Sequence, residues 1–121
     1  MDTERVAFIN HDNKEILFLN FADCKPHEIF PLIDQAKKAI CTRPASSVLT
    51  LTDVTNTRFD DKVSAELKAF TVHNKPYVKA AAVVGVSGLK KIILEAVMLF
   101  SNRKLHAFET VELAKNWLVT N

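Results

Sequence analysis

The stretch VLTLTDVTNTRFDD, Val48 to Asp61, joins a strand to the start of a helix. Val48–Val54 is mostly apolar and rich in β-branched residues, which predicts a buried strand. Polar residues follow, and Asp60 is placed to accept hydrogen bonds from the first amides of a helix. In α/β proteins, ligands bind at the loops that follow such strands. The loop is therefore the first candidate for a functional site.

The segments on either side of this stretch repeat the alternation of strands and helices. Upstream, a hairpin tip is predicted at His11–Lys14 and a second buried strand at Ile16–Phe21, with a regular helix that begins near Phe30. Downstream we expect a strand over Lys79–Val86 and then a helix that is capped by Ser87 and runs to about Asn102. A short strand over Leu105–Phe108 follows, and Thr110 caps a last helix. The inward-facing residues of that helix are predicted to be Leu113, Ala114, Trp117 and Leu118. The order ββαβαβαβα predicts an α/β domain over residues 1–121. Its sheet has five mostly parallel strands with one antiparallel N-terminal strand, and it carries four helices.

Composition and charge exclude several classes of protein. The net charge of +2 comes from 16 basic and 14 acidic residues of mixed order, so no concentrated basic surface for nucleic acid is expected. The first residues, MDTERVAF, contain no apolar signal core, and no apolar run is long enough to cross a bilayer. The two glycines are too few for a glycine-rich phosphate loop. These observations predict a cytoplasmic protein whose two cysteines are reduced, partly buried thiols.

The element order and two sequence segments resemble a known family. The segments are VLTLTDVTNTRF and KAAAVVGVSGLKKIILEAVMLFSNRKLHAFETVELAKNWL. In both, the chain is similar to the STAS fold of anti-anti-sigma factors, and more narrowly to the SpoIIAA-like (STAS/CRAL-TRIO-like) group of small bacterial and archaeal proteins. The resemblance covers almost the whole chain and implies a non-catalytic binding module.

One part of the family pattern is missing from this chain. In anti-anti-sigma factors, an Asp-Ser-(Ser/Thr)-Gly turn follows the equivalent strand, and phosphorylation of its serine prevents docking to a partner. Here the matching residues are Thr57-Arg58-Phe59-Asp60-Asp61, without the serine and the glycine. The resemblance therefore does not assign a phosphorylated residue to this chain.

Polar side chains follow the predicted parallel strands at their carboxyl ends. As a ligand or partner loop we select Asp53, Thr55, Asn56, Arg58, Asp60 and Ser87. Two interpretations remain open at this stage: these residues line a polar cleft, or they satisfy the amides of local turns and helix caps. The Arg58 guanidinium either binds a carboxylate or phosphate, or pairs with Asp60 or Asp61.

No spacing in the sequence predicts a catalytic or metal site. Cys24 and His27 have a C-x-x-H spacing, but only Cys41 is available as a third zinc ligand. No trio of nucleophile, base and orienting residue and no pair of carboxylates stands out. We therefore predict no enzymatic activity, no metal and no cofactor.

The helix LKKIILEAVMLFSNRK carries more apolar residues than one face requires. Its predicted sheet-facing stripe consists of Leu89, Ile92, Ile93, Ala96, Val97 and Phe100. Leu94 and Met98 lie off this stripe and form an additional apolar ridge. Such a ridge packs under a neighbouring helix, forms a homodimer contact, lines a pocket for an apolar molecule, or rests on a lipid surface.

These observations predict a protein-interaction or ligand-binding module that forms a homo-oligomer and binds a protein partner or an apolar small molecule. The alternative is a carrier of lipids or other apolar ligands that associates reversibly with membranes. The sequence identifies neither the partner nor the ligand.

Overall fold

The protein is described from a computed structural model that covers residues 5–121, with Leu89 described by its main chain only. Five strands form one sheet: β1 (Val6–His11), β2 (Lys14–Asn20), β3 (Val48–Asp53), β4 (Val78–Val84) and β5 (His106–Phe108). Four helices accompany it: α1 (Pro26–Ile40), α2 (Asp61–Asn74), α3 (Leu89–Ser101) and α4 (Val111–Leu118).

The strands lie in the order β1-β2-β3-β4-β5. Strand β1 pairs with β2 in the antiparallel sense, and the remaining pairs are parallel. At the hairpin tip Asp12 and Asn13 adopt left-handed φ values of 49° and 65°, which short polar side chains tolerate. The α/β class, the element order and the single antiparallel strand confirm the fold predicted from the sequence.

The helices are divided unequally between the two faces of the sheet. Each crossover from β2 to β5 moves to the next strand in the same direction, so right-handed connections place α1, α2 and α3 on one face. Apolar residues of α1 and α2 form a buried cluster there with Leu17, Leu19 and Val83 of the sheet. The short helix α4 covers the opposite face, where Ala114 and Leu118 pack on Leu49, Leu51 and Ala82.

Several predicted boundaries differ from the structure. Helix α1 begins at Pro26 and not near Phe30, because the Glu28 carboxylate accepts a hydrogen bond from the Lys25 amide and closes the first turn. Pro31 lies inside this helix on the exposed side, where water can bind the carbonyl that proline leaves unpaired.

Two further predictions about helices need correction. Ser87 does not cap α3: the cap position is Gly88, whose φ of 55° favours glycine, and no side chain caps the helix. In α4, Ala114 and Leu118 are buried and Trp117 packs on His106 and Phe108, but Leu113 is exposed. A helix of this length presents only one narrow stripe to the sheet, and Leu113 lies outside it.

Candidate functional site

The loop after β3 uses its acidic side chains for local structure. The Asp53 carboxylate accepts from the Thr55 amide at 2.9 Å and from the Thr55 hydroxyl at 2.6 Å. Asp60 caps α2 by accepting from the Val63 amide at 2.8 Å, as predicted. Both carboxylates therefore stabilise turns, which is the second of the two interpretations that the sequence left open.

The same loop is tied to its neighbours. The hydroxyl of buried Thr57 donates to the Phe21 carbonyl at 2.6 Å, and the Lys90 ammonium donates to the Val54 carbonyl at 2.8 Å. Gly85, with φ of 86°, lies so close to Thr55 that a β-carbon on Gly85 would be 2.7 Å from the Thr55 Cα. The loop is thus a packed corner between β2, β4 and α3.

Five of the six predicted loop residues are exposed to solvent, and only Asp53 is half-buried; the exposed ones are Thr55, Asn56, Arg58, Asp60 and Ser87. Within residues 5–121, neither Asp60 nor Asp61 forms an ion pair with the Arg58 guanidinium, so that predicted pairing is not observed. Asn56 takes a left-handed φ of 55°, which explains an asparagine in the turn. The exposed set contains two charged groups, Arg58 and Asp60, and the Asp60 carboxylate is already engaged as the cap of α2.

A partly open cavity lies elsewhere, between the helical face of the sheet and helices α2 and α3. Its volume is about 80 Å³. Apolar walls come from Leu67 and Phe70 of α2 and from Ile93, Leu94 and Val97 of α3. The floor consists of small side chains on β3 and β4, namely Thr50, Thr52 and Ala81. We call this space the α2–α3 cavity.

The cavity arises from side-chain size and helix placement. Thr50 and Ala81 are paired positions of adjacent strands, and both present small side chains to the helices. Helix α3 packs mainly on α2 and only weakly on the strands. Small residues under a helix that stands away from the sheet leave unfilled volume.

Two cationic side chains line this mostly apolar cavity. Lys90 lies at the carboxyl end of the strands, where its ammonium binds the Val54 carbonyl. Arg103 lies near the opposite end, beside the last turns of α2, and donates to the Thr71 carbonyl at 3.2 Å. Within residues 5–121, no carboxylate forms an ion pair with either group.

The Arg103 guanidinium has more hydrogen-bonding capacity than the structure uses. It carries five N–H donors, and in the described part of the chain one hydrogen bond is formed, to Thr71. Burial lowers the pKa of Arg103, because the surrounding apolar side chains disfavour its charged form. A half-buried cation with no counter-ion among residues 5–121 is the most conspicuous electrostatic feature of the cavity.

The predicted apolar ridge of α3 faces inward. Leu94 packs against the core and lines the cavity, and the Met98 sulfur accepts a hydrogen bond from the Leu105 amide at 3.3 Å. The prediction that Leu94 and Met98 lie off the sheet-facing stripe is therefore wrong. The stripe that faces the sheet contains Ile93, Leu94, Val97, Met98 and Ser101.

Part of the predicted stripe is instead the outer surface of α3. Ile92 is 64% exposed, Phe100 is 62% exposed and Leu99 is 86% exposed, and Ala96 is exposed between them. The side chain of Leu89, also assigned to the stripe, lies outside the described residues. Because α3 is apolar around most of its circumference, periodicity alone did not decide which side faces the sheet.

Sequence reasoning missed Arg103 and the cavity. The only sequence signals were the run of alanines in β4 and an arginine between an apolar helix and an apolar strand. Neither signal specifies a pocket, because the volume depends on how far α3 stands from the sheet.

In comparisons with known proteins, no family model matches the chain and no curated protein matches it. The STAS-like resemblance therefore stays a prediction. No helix within residues 5–121 has the length and apolar character needed to cross a membrane. The same residues contain no cluster of three or more histidine, cysteine or carboxylate side chains arranged to hold a metal ion.

Proposed function

We propose that the protein is a non-catalytic binding module whose α2–α3 cavity takes a small amphipathic anion. The apolar part of the ligand occupies the cavity, and its carboxylate or a similar head group binds Arg103. The observation that carries the proposal is the half-buried Arg103 guanidinium, which lines an apolar cavity without a carboxylate partner among residues 5–121.

An anionic ligand would compensate the cost of burying the Arg103 guanidinium. Burying a charge without a partner is unfavourable, and the lowered pKa of Arg103 reflects that cost. A carboxylate ligand would supply a counter-charge and accept two parallel N–H bonds from the planar guanidinium. In a partly buried setting such charge-assisted bonds are stronger than the bonds that the same groups form with water.

The walls of the cavity determine the apolar part of the ligand. The volume of about 80 Å³ is roughly half that of an engineered apolar cavity known to bind benzene. A short alkyl chain fits this space, whereas a ring of the size of benzene does not. A larger ligand requires α3 to move away from the sheet, and α3 lacks a side-chain cap at its first turn.

The predicted family resemblance is compatible with this role. A STAS-like domain without the phosphorylated serine would act as a binding module, and in this proposal the loop Val54–Asp60 supports the cavity from the carboxyl end of the sheet. Lys90 links the loop to the cavity, because its ammonium donates to the Val54 carbonyl while its side chain lines the cavity.

The proposal is tested by calorimetric titration with two probes of equal chain length, hexanoate and hexan-1-ol. We expect hexanoate to bind at least tenfold more tightly than hexan-1-ol, since only the carboxylate pairs with Arg103. Equal affinities would show that the guanidinium does not select an anion. No binding of either probe at millimolar concentration would refute a cavity for apolar ligands.

A second candidate function is self-association through the outer face of α3. Ile92, Leu99 and Phe100 form an exposed apolar surface there, and it differs from the ridge predicted for a homodimer. Light scattering on the wild type and on Leu99→Glu tests it. A dimer that the substitution dissociates supports this role. A wild-type monomer at high micromolar concentration contradicts it, and flotation with lipid vesicles then tests membrane contact by the same surface.

A further inference from the structure

A cluster of three side chains lies at the opposite end of the sheet from the loop after β3. Cys41 directly follows the last residue of α1. Its side chain is exposed and its thiol is not part of a disulfide. Its Sγ lies 3.7 Å from Nε2 of His73, which belongs to the last turn of α2. The packing of α1 against α2 brings these two residues together across 32 positions of sequence.

The histidine ring is oriented by a buried neighbour. Nδ1 of His73 lies 3.0 Å from Oδ1 of Asn74, and Asn74 is buried. An amide oxygen accepts hydrogen bonds only, so this contact places the ring proton on Nδ1. The lone pair of Nε2 is then directed at the thiol of Cys41. The arrangement supplies a nucleophile, a base and an orienting group within hydrogen-bonding reach.

A fourth side chain borders the sulfur. Hydrogen bonding to Cys41, together with the negative charge of its thiolate, raises the pKa of Tyr77. The Tyr77 ring lies 6.1 Å from the His73 ring between centroids. The turn after α2 holds both aromatic residues in place, since the Tyr77 amide donates to the Asn74 carbonyl at 2.9 Å. Tyr77 therefore belongs to the surroundings of the Cys41 thiol.

We propose that Cys41 is a reactive thiol, activated by His73 with Asn74 as a positioning residue, that undergoes exchange with low-molecular-weight disulfides. The Cys41 proton passes to Nε2 of His73, and the thiolate attacks one sulfur of the small disulfide. The S–S bond of the small disulfide breaks as the new S–S bond to Cys41 forms. The departing thiolate takes the proton from the imidazolium, so one disulfide and one thiol are present before and after.

The reaction stops at the mixed disulfide because the chain has no accessible second thiol. Its other cysteine, Cys24, is buried, and burial raises the pKa of the Cys24 thiol. The site is therefore a place of reversible modification. It is separate from the α2–α3 cavity as a chemical site, although Asn74 also lines that cavity.

The test uses 5,5′-dithiobis(2-nitrobenzoate), a small aromatic disulfide, on the Cys24→Ser protein at pH 7. We measure the second-order rate constant in that background, in His73→Ala and in the matched control His27→Ala, whose histidine is exposed on the first turn of α1. An ordinary thiol is only a few per cent ionised at neutral pH, so we expect a roughly tenfold fall in His73→Ala. The His27→Ala rate should equal that of the background.

Chemical rescue separates activation from a structural effect. Added imidazole should restore much of the lost rate in His73→Ala and should not change the rate of the background protein. Intact mass measurement should show one adduct, absent from Cys41→Ser. Should circular dichroism show that His73→Ala is unfolded, His73→Gln takes its place. Equal rates in the background and the His73 variant, or a failure of imidazole to raise the variant's rate, would overturn the proposal.

Discussion

The loop Val54–Asp60 and the α2–α3 cavity differ in how far their polar groups are already satisfied. The loop is rich in the residue types that mark binding sites, but Asp60 and Thr57 are engaged with nearby main-chain atoms. The cavity is mostly apolar, yet Arg103 has donors to spare within the described chain. A binding site is therefore better identified by unused hydrogen-bonding capacity than by the number of polar residues.

If the loop Val54–Asp60 is a structural corner, a side chain at Gly85 should disrupt it. Gly85→Ala places a β-carbon against the Thr55 main chain at a φ of 86°. We expect the free energy of unfolding to fall by about 3 kcal/mol, from backbone strain and the collision together. Gly88→Ala is the matched control, because its φ is 55° but no atom lies within 4 Å of the added carbon. Equal losses in urea denaturation would mean that contact with Thr55 contributes nothing.

Removing the cavity cation should affect binding more than stability. For Arg103→Met we expect the affinity for hexanoate to fall by about 2 kcal/mol, since hydrogen bonds to charged groups contribute about 1.5–3 kcal/mol. Stability should change by less than about 1 kcal/mol, because the loss of the Thr71 contact is offset by removal of a half-buried charge. Arg58→Met removes the exposed loop arginine and should leave both quantities unchanged. A loss of affinity in Arg58→Met would move the site to the loop.

Enlarging two adjacent alanines of β4, Ala81 and Ala82, should change the free energy of unfolding in opposite directions. Both residues border the cavity, but Ala82 is fully buried in the cluster that packs under α4, on the other face of the sheet. Ala81→Val should fill empty volume and raise the free energy of unfolding by about 1 kcal/mol while it weakens hexanoate binding. Ala82→Val should lower stability by about 1–2 kcal/mol through overpacking. Thermal unfolding of both variants checks the signs, and destabilisation of similar size in both would argue against a cavity.

The smallest effect is expected at the cap of α2. Asp60→Ala removes the acceptor of the Val63 amide and should cost about 1 kcal/mol of stability, as is usual for a helix cap. Hexanoate affinity should stay within twofold of the wild type. Calorimetry and urea denaturation on one sample measure both, and a loss of binding without a loss of stability would reverse the roles that we assign to the two regions.

Local rules predicted most of the fold. The hairpin at Asp12–Asn13, the cap at Asp60 and the buried strand β3 depend on neighbours within a few residues of sequence. The start of α1 was less predictable, because prolines at positions 26 and 31 favoured a later start than the one that the Glu28 contact allows.

The candidate site was less predictable, because it depends on distances between elements. The pattern predicts Leu94 off the sheet-facing stripe because α3 is apolar on nearly all sides, and only the packing of α3 on α2 decides its inner face. The cluster at Cys41 joins residues from two helices, so no spacing along the chain indicates it. In the sequence nothing distinguishes Arg103 from the other basic residues. Only the structure shows that its guanidinium is half-buried in the wall of the cavity.

The central claim is that the ligand enters the α2–α3 cavity and not the loop. Methyl NMR during a hexanoate titration tests it directly, with Ala81 and Val97 reporting on the cavity and Thr55 and Thr57 on the loop. We predict that the Ala81 and Val97 methyl signals shift saturably with hexanoate, while the Thr55 and Thr57 signals change little. The affinity obtained from the same signals should be at least tenfold lower for hexan-1-ol than for hexanoate. Saturable shifts confined to Thr55 and Thr57, or no shift at Ala81 and Val97, would contradict the claim.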